Sequence, residues 1–551
     1  MKKRIAALML VFAMVFMAVS CTPAEQSKEE SKTPSQSVQE GSETEEENKN
    51  PSSWLTEEKK TLRVLTSEGT STSNPPASND LPFWKWLEEY TNVHIDWEVA
   101  ASSGYPEVIS TRLSAGVNLP DIMMVNTLQM AEKAGMNGLL VDLSEYWDTC
   151  FTNTDAYWKG QGVDFLSHIT SSDGSIYALV GMAEPVEGHI TIMYNKDWLE
   201  KVNEEMPTTL DDFTALLRKL KSAGDLNGNG INDEIILTAS GVSDLTSGLG
   251  TAFGLEQYEA WDAFVADENN VVRDEYTSEN MKEFLTYLRT LYKEKILDQE
   301  ISSMNANTLA EKIASDRVGI FIYYSSYAIT YGQLTSKGQK DPFAEVYSLG
   351  LALGSKYNGN KGVFMRRERA LGAPTSITDE CKDVELAAKW LDTLYADPNV
   401  LNVRIYGMEG EDWRYDENGN IEVLYPEDGS VRNISAKGCG QIPLCHFQTP
   451  EQLLSGNEQF PWYLEGYDRM REECVWKSPS IKHIQLFTDE ENELINFVNS
   501  DVKGVFGQYR DKFVKGSADP NTDWNKYVQE INKMGLQDMV KGWQMIHDRT
   551  R

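Results

Sequence analysis

Apolar and polar positions alternate over residues 62–66, the two-residue period of a strand, and then give way to Phe83, Trp86, Leu87 and Tyr90 at helical spacing. Alternation returns over 93–99, where Ile95, Trp97 and Val99 share one side. Leu119-Pro120-Asp121 then leads into a third apolar run at 122–125. Strand, helix, strand, helix, strand in this order predicts a mostly parallel sheet covered by helices.

The same logic extends along the chain. Ile192, Met193 and Tyr194 read as a strand, followed by a helix that stops before Pro207. Thr209 is placed to cap the next helix, with Asp212 completing a capping box and Phe213, Leu216, Leu217 and Leu220 forming its buried stripe. Residues 318–324 read as a buried strand, and Ala387, Trp390, Leu391 and Leu394 mark an amphipathic helix. Asn269-Asn270 and Asn418-Gly419 sit between strand-like runs and predict hairpin turns. Residues 524–547 read as helix broken at Gly535, and no tandem repeat of solenoid length appears.

The first 60 residues follow other rules. Lys2, Lys3 and Arg4 precede an apolar run at 5–19, which falls short of the roughly 20 residues a membrane span needs. Residues 1–20 therefore read as a cleaved secretory signal. Residues 21–60 hold almost no large apolar side chain, so burial cannot offset the entropy of ordering them. They predict a disordered tether, whose r.m.s. span as a flexible coil is about 35 Å. The remainder, roughly 490 residues, exceeds what one core supports and implies at least two domains.

A net charge of -34 argues against nucleic acid or an anionic membrane surface as partner, since the long-range field repels both. Beyond Cys21, cysteines stand at 150, 381, 439, 445 and 474 without metal-ligand spacing. Cys439 and Cys445 would close a small loop if oxidised; the others read as isolated buried thiols. No nucleophile elbow, phosphate loop or His-Glu-x-x-His motif is present, and the six histidines are scattered. Among 85 acidic residues, a carboxylate pair of the glycoside-hydrolase kind carries no information by itself.

One motif carries specific chemistry. In the run from Asp225 to Glu234, oxygen-bearing side chains occupy loop positions one, three, five and nine, with glycine at six and a carbonyl at seven. That is the first three quarters of a calcium loop, in which a tight curl turns hard oxygens inward. Position twelve is Ile236, so Glu234 has to close the shell, and the strand-like run after it fits a fixed structural ion better than a helix-opening sensor. The alternative reading is an Asn/Gly-rich turn holding no metal.

Ala18, Val19 and Ser20 before Cys21 resemble a bacterial lipobox, with alanine at Ala18 where leucine is commoner. Lipidation of Cys21 would anchor the chain to the outer face of the cell membrane, its only membrane contact. Tyr194-Asn195-Lys196-Asp197-Trp198-Leu199, then Pro207-Thr208-Thr209 and the Asp-x-Asn-x-Asn-Gly loop, resemble the extracellular solute-binding lipoproteins of ABC importers, of the LplA and alginate-binding type. Leu119-Pro120-Asp121-Ile122, Arg317 with Gly319, Tyr406-Gly407-Met408-Glu409-Gly410, and Trp524 with Tyr527 extend the likeness over nearly the whole mature chain. The resemblance implies a type II periplasmic-binding-protein-like fold: two α/β lobes, several crossovers, and an interlobe cleft that closes on ligand. Lobe one is expected over about 61–185 plus part of 366–455, lobe two over about 190–365 plus part of 456–551. It also implies structural Ca2+ held by Asp225, Asn227, Asn229, the Ile231 carbonyl, Asp233 and Glu234.

The expected function is that of a monomeric receptor handing an oligosaccharide to permease subunits. A secreted glycoside hydrolase and a receptor for a non-sugar solute such as a peptide are the alternatives. Aromatic rings near strand ends and loops are the cleft candidates: Trp261, Tyr323, Tyr324, Trp413 and Trp462, then Tyr194. Arg366, Arg367 and Arg369 form a basic group in an acidic chain. Arg369 is the candidate for a carboxylated sugar through forked hydrogen bonds.

Overall fold

The computed structural model describes residues 52–68, 75–182, 190–256, 263–366, 371–427, 429–440, 444, 457–481 and 486–551. The secretory signal, Cys21, and the tether up to residue 51 lie outside the described residues. The fold takes hold before residue 61. Trp54 donates its indole N–H to the Glu89 carbonyl at 3.1 Å, and the Leu55 amide bonds the Thr91 carbonyl at 3.0 Å. Residues 52–60, expected to belong to the tether, are held to the first helix through these two residues.

Four strands begin the first sheet: β1 (Lys60–Ser67), β2 (Val93–Ala100), β3 (Ile122–Met124) and β4 (Leu179–Met182). β1 pairs in parallel with both β2 and β3, as the alternation predicts. The intervening helix Pro82–Thr91 starts on a proline, buries Phe83, Trp84 and Leu87, and ends where Asn92 turns left-handed at φ 57°.

The second sheet holds β5 (Ile190–Asn195), β6 (Ile235–Ala239), β7 (Val318–Tyr324) and β8 (Tyr347–Leu349), in the order β8-β5-β7-β6. Only β6 and β7 run parallel; β5 is antiparallel to both neighbours. This sheet is therefore mostly antiparallel, unlike the β1, β2 and β3 part of the first sheet for which the strand-helix order predicts parallel pairing. Glycine makes two close approaches possible. A Cβ on Gly319 would lie 2.5 Å from the Trp198 ring, and one on Gly350 would lie 2.3 Å from the Tyr194 ring.

The late strand β9 (Leu371–Ile377) returns to the first sheet and inserts antiparallel between β3 and β4. Its register shifts between Gly372 and Thr375, around Pro374, which lacks a ladder donor. Two hydrophobic cores result. One draws on residues between 62 and 182 and between 377 and 444, the other on residues between 190 and 364 and between 460 and 546.

Hairpins form at both predicted turns, pairing Phe264–Ala266 with Val272–Asp274 and Trp413–Tyr415 with Ile421–Val423. Thr209 caps its helix by accepting the Asp212 amide at 3.2 Å. The reciprocal half of the box differs, since the Thr209 hydroxyl donates to the Asp212 carboxylate at 2.7 Å. Gly535, at φ 98°, separates the helices Pro520–Lys533 and Leu536–Thr550. Among the described residues, no helix is long and apolar enough to cross a membrane.

The last helix is tied down by one ion pair. Glu491, 1% exposed, accepts Arg549 Nε at 3.0 Å and Nη2 at 2.8 Å, and also the Thr488 amide at 2.8 Å. Arg549→Ala strands that carboxylate, so urea unfolding is expected to show a loss of about 2 kcal/mol. The value is set below the fully buried case because the arginine is half exposed.

Candidate ligand cleft and metal loop

Both sheets turn one end toward the junction of the cores. β4 ends at Met182 and the chain resumes in β5 at Ile190; after β8 the chain stays in the second core through the strand Val363–Met365 and resumes in β9 at Leu371. β3 runs antiparallel to β9, as β4 does, so its C-terminal end and the following Asn126, Thr127 and Gln129 lie at that same end. In the second sheet Ile190 pairs with Tyr324 and Thr191 with Tyr323, which sets both tyrosines where the chain crosses. Ligands of open α/β sheets bind outside such strand ends.

Tyr323 and Tyr324 belong to a larger group of rings. Tyr323 lies edge-on to Tyr324 at 4.9 Å between centroids and to Tyr327 at 4.7 Å, and is stacked with Tyr331 at 5.9 Å. Tyr327 and Tyr331 were not singled out from sequence; the signal was the four-residue spacing of 323, 327 and 331. That spacing packs because the helix Tyr327–Gly332 folds back over the strand end. Tyr323, Tyr324 and Tyr327 are half-buried.

Trp462 belongs to the same neighbourhood. Ser325, next to Tyr324, shares a 3.1 Å hydrogen bond with the Tyr463 hydroxyl, which burial pushes up to about 12 and keeps neutral. Trp462 is half-buried and donates its indole N–H to the Phe343 carbonyl at 3.0 Å.

Two other ring candidates are corrected by their burial. Tyr194 is 0% exposed in the middle of the second core, because its strand is covered on both faces. Trp413 is 2% exposed in the first core and donates its N–H to the Gly407 carbonyl at 2.7 Å, since its hairpin folds back on that turn. Neither offers a ring face to a ligand. Trp261, Arg367 and Arg369 lie outside the described residues, as does Cys445. Cys439 is a free buried thiol, pushed up to about 12 by burial.

The residues expected to hold the metal lie in one loop, whose side chains bond to its own backbone and to each other. Asp225 accepts the amides of Gly228 at 2.7 Å, Asn229 at 3.1 Å and Gly230 at 2.8 Å. Gly228 and Gly230 are left-handed at φ 78° and 83°, which curls the backbone around that carboxylate. The side-chain amides of Asn227 and Asn229 reach Asp233 Oδ1 at 3.4 and 3.1 Å. Arg317 holds Asp233 Oδ2 at 2.9 Å. Glu234 accepts the Leu226 amide at 2.7 Å, while Ile236 is 1% exposed in the core and contributes no oxygen. Among the described residues, no group of three or more His, Cys, Asp or Glu side chains is placed to hold a metal ion. The loop instead mixes carboxylates with amide and carbonyl oxygens, the hard donor chemistry that calcium takes.

A two-core α/β protein with its crossings at the strand ends, and aromatic rings gathered there, has the architecture of a type II binding protein. The family model for bacterial extracellular solute-binding proteins matches residues 66–400, and the chain belongs to that family. It is 25% identical over 527 residues to the fructooligosaccharide ABC transporter substrate-binding protein FusA of Streptococcus pneumoniae serotype 4, covering 90% of this chain and 91% of FusA. Lipoprotein LipO of Bacillus subtilis strain 168 is 23% identical over 256 residues, covering 46% of this chain and 48% of LipO. Among solved structures, alginate-binding protein AlgQ2 without calcium ion has a TM-score of 0.71 at 17% identity, covering 90% of this chain and all (100%) of AlgQ2. FusA in complex with kestose has a TM-score of 0.70 at 22% identity, covering 89% of this chain and 99% of that one. An EF-hand mutant of FusA is also similar, with a TM-score of 0.70.

Proposed function

We propose that this protein is the extracytoplasmic receptor of an ABC importer and that its solute is an oligosaccharide. The observation that carries the reading is the group of half-buried tyrosines at the end of β7, where the chain crosses between cores. Flat amphipathic rings in a sheltered place offer C–H faces of sugars a stacking surface while their hydroxyls remain available for hydrogen bonds. Tyr323, Tyr324 and Trp462 form that platform, with Trp261 and Arg369 as further candidates, and no residue acts catalytically. The relatives' ligands, a fructooligosaccharide and alginate, support the solute class.

Residues 61–182 with 371–444 act as one lobe, and 190–364 with 457–551 as the other. Ligand contacts to both favour the closed state, which permease subunits recognise. Asp225, Asn227, Asn229, the Ile231 carbonyl, Asp233 and Glu234 hold one Ca2+, which when bound fixes the loop leading into β6. The molecule acts as a monomer, anchored outside the cell membrane through lipidated Cys21.

A thermal-shift screen of oligosaccharides tests the function. The expected result is stabilisation by at least one sugar without any product, together with a smaller radius in scattering at saturation, since a bound solute stabilises only the folded form. Hydrolysis of that sugar would replace the receptor reading with a glycoside hydrolase, and stabilisation by peptides alone would replace the solute class.

A further inference from the structure

Three side-chain amides join the two cores. Gln129 is the second residue of the helix Leu128–Met136, whose N-cap Thr127 accepts the Met130 amide at 3.1 Å. Its neighbours Leu128 and Ala131 belong to the first core. Asn492 and Asn496 stand one turn apart near the start of the helix Asp489–Lys515, either side of Ile495 in the second core. Gln129 Nε2 donates to Asn492 Oδ1 at 2.6 Å, and Asn496 Nδ2 donates to the same oxygen at 2.6 Å and to Gln129 Oε1 at 3.4 Å. Asn492 is itself aimed by donating Nδ2 to the Phe487 carbonyl at 3.4 Å.

The mount on each side is firm. Gln129 follows β3 at the end of the first sheet that faces the junction. The first turn of the opposing helix is fixed by the Thr488–Glu491 capping box and by the Glu491–Arg549 ion pair. Such bonds, between amides mounted on the two different cores, have to break before the cores can separate on this side. Neutral amides also hold independently of pH and are little screened by salt.

We propose that Gln129, Asn492 and Asn496 form an interlobe latch that sets how far the ligand-free receptor opens. The inference rests on the two-lobe reading above and makes these three residues positioning residues for the binding site: they touch each other across the junction and bias the closure on which affinity depends. With the latch gone, the closed population falls roughly three- to tenfold, the range of a neutral hydrogen bond or two.

Small-angle scattering of the ligand-free full chain tests this without knowledge of the solute. Gln129→Ala is expected to enlarge the radius of gyration relative to the wild type. Asn492→Asp, which keeps an acceptor for both partners, is expected to leave it unchanged, and melting temperatures of all three proteins to agree closely. An unchanged radius in Gln129→Ala, equal enlargement in both variants, or a smaller radius would each overturn the latch. If Gln129→Ala melts early, Asn492→Ala, which removes the oxygen that accepts from Gln129 across the junction, serves under the same criteria. Failure of the two-lobe reading itself would show separately, as a wild-type radius indifferent to a sugar that binds.

Discussion

Calcium added to chelator-treated protein is expected to raise the melting temperature by several degrees and to release or absorb heat with a stoichiometry of one, and Asp225→Ala to abolish both responses. The expectation follows from how the loop is built. Asp225 gathers three backbone amides, and Asp233 gathers two side-chain amides, so the loop backbone is already curled before any ion arrives and the two asparagines have only to turn their amide oxygens inward. Preorganisation of this kind means that little of the binding energy goes into ordering the loop. An ion present at about a thousand times its dissociation constant stabilises the folded form by about 4 kcal/mol. The loop leads directly into β6, so that stabilisation acts on the edge of the second sheet. Calorimetry and a melting scan, each on the variant as well as the wild type, check the result; absence of heat and of any shift in the wild type would remove the metal from the description.

Tyr324→Ala is expected to weaken the sugar that stabilises the wild type by about 2 kcal/mol, roughly 30-fold in Kd, because truncated aromatic anchors dominate binding surfaces of this kind. Its ring is half-buried at the end of β7 and packs edge-on against Tyr323. Tyr194→Phe supplies the contrast. That side chain is in the core, its hydroxyl buried without a hydrogen-bond partner among the described residues, so removing the oxygen is expected to leave affinity unchanged and stability equal or slightly higher. Titration calorimetry on both variants, beside their urea melts, separates a ligand contact from a packing role.

Those two tyrosines also mark where sequence reasoning reached its limit. Period-two alternation finds β1 and β2, and local chemistry finds the two hairpins, the Gly535 break and the Asp225–Glu234 loop, because each depends on neighbours in the chain. Whether a ring faces solvent depends on what covers its strand. Tyr194 sits in a strand flanked by β7 and β8 and roofed by helices, whereas Tyr323 and Tyr324 lie only a strand's length away at an open end. Trp413 was misplaced for a similar reason: its loop folds onto Gly407, a contact that no spacing announces. β9 escaped because Pro374 argues against a strand, and only the bulge around it makes the strand possible.

The position of β9 governs how the molecule is made. Its partners β3 and β4 are complete early in synthesis, yet their facing edges stay open until residues 183–370 have emerged and the strand between them arrives. Open edges of that kind invite mispairing with other chains. A fragment ending near residue 185 would carry those two raw edges into solution, where it is expected to aggregate instead of standing as a module.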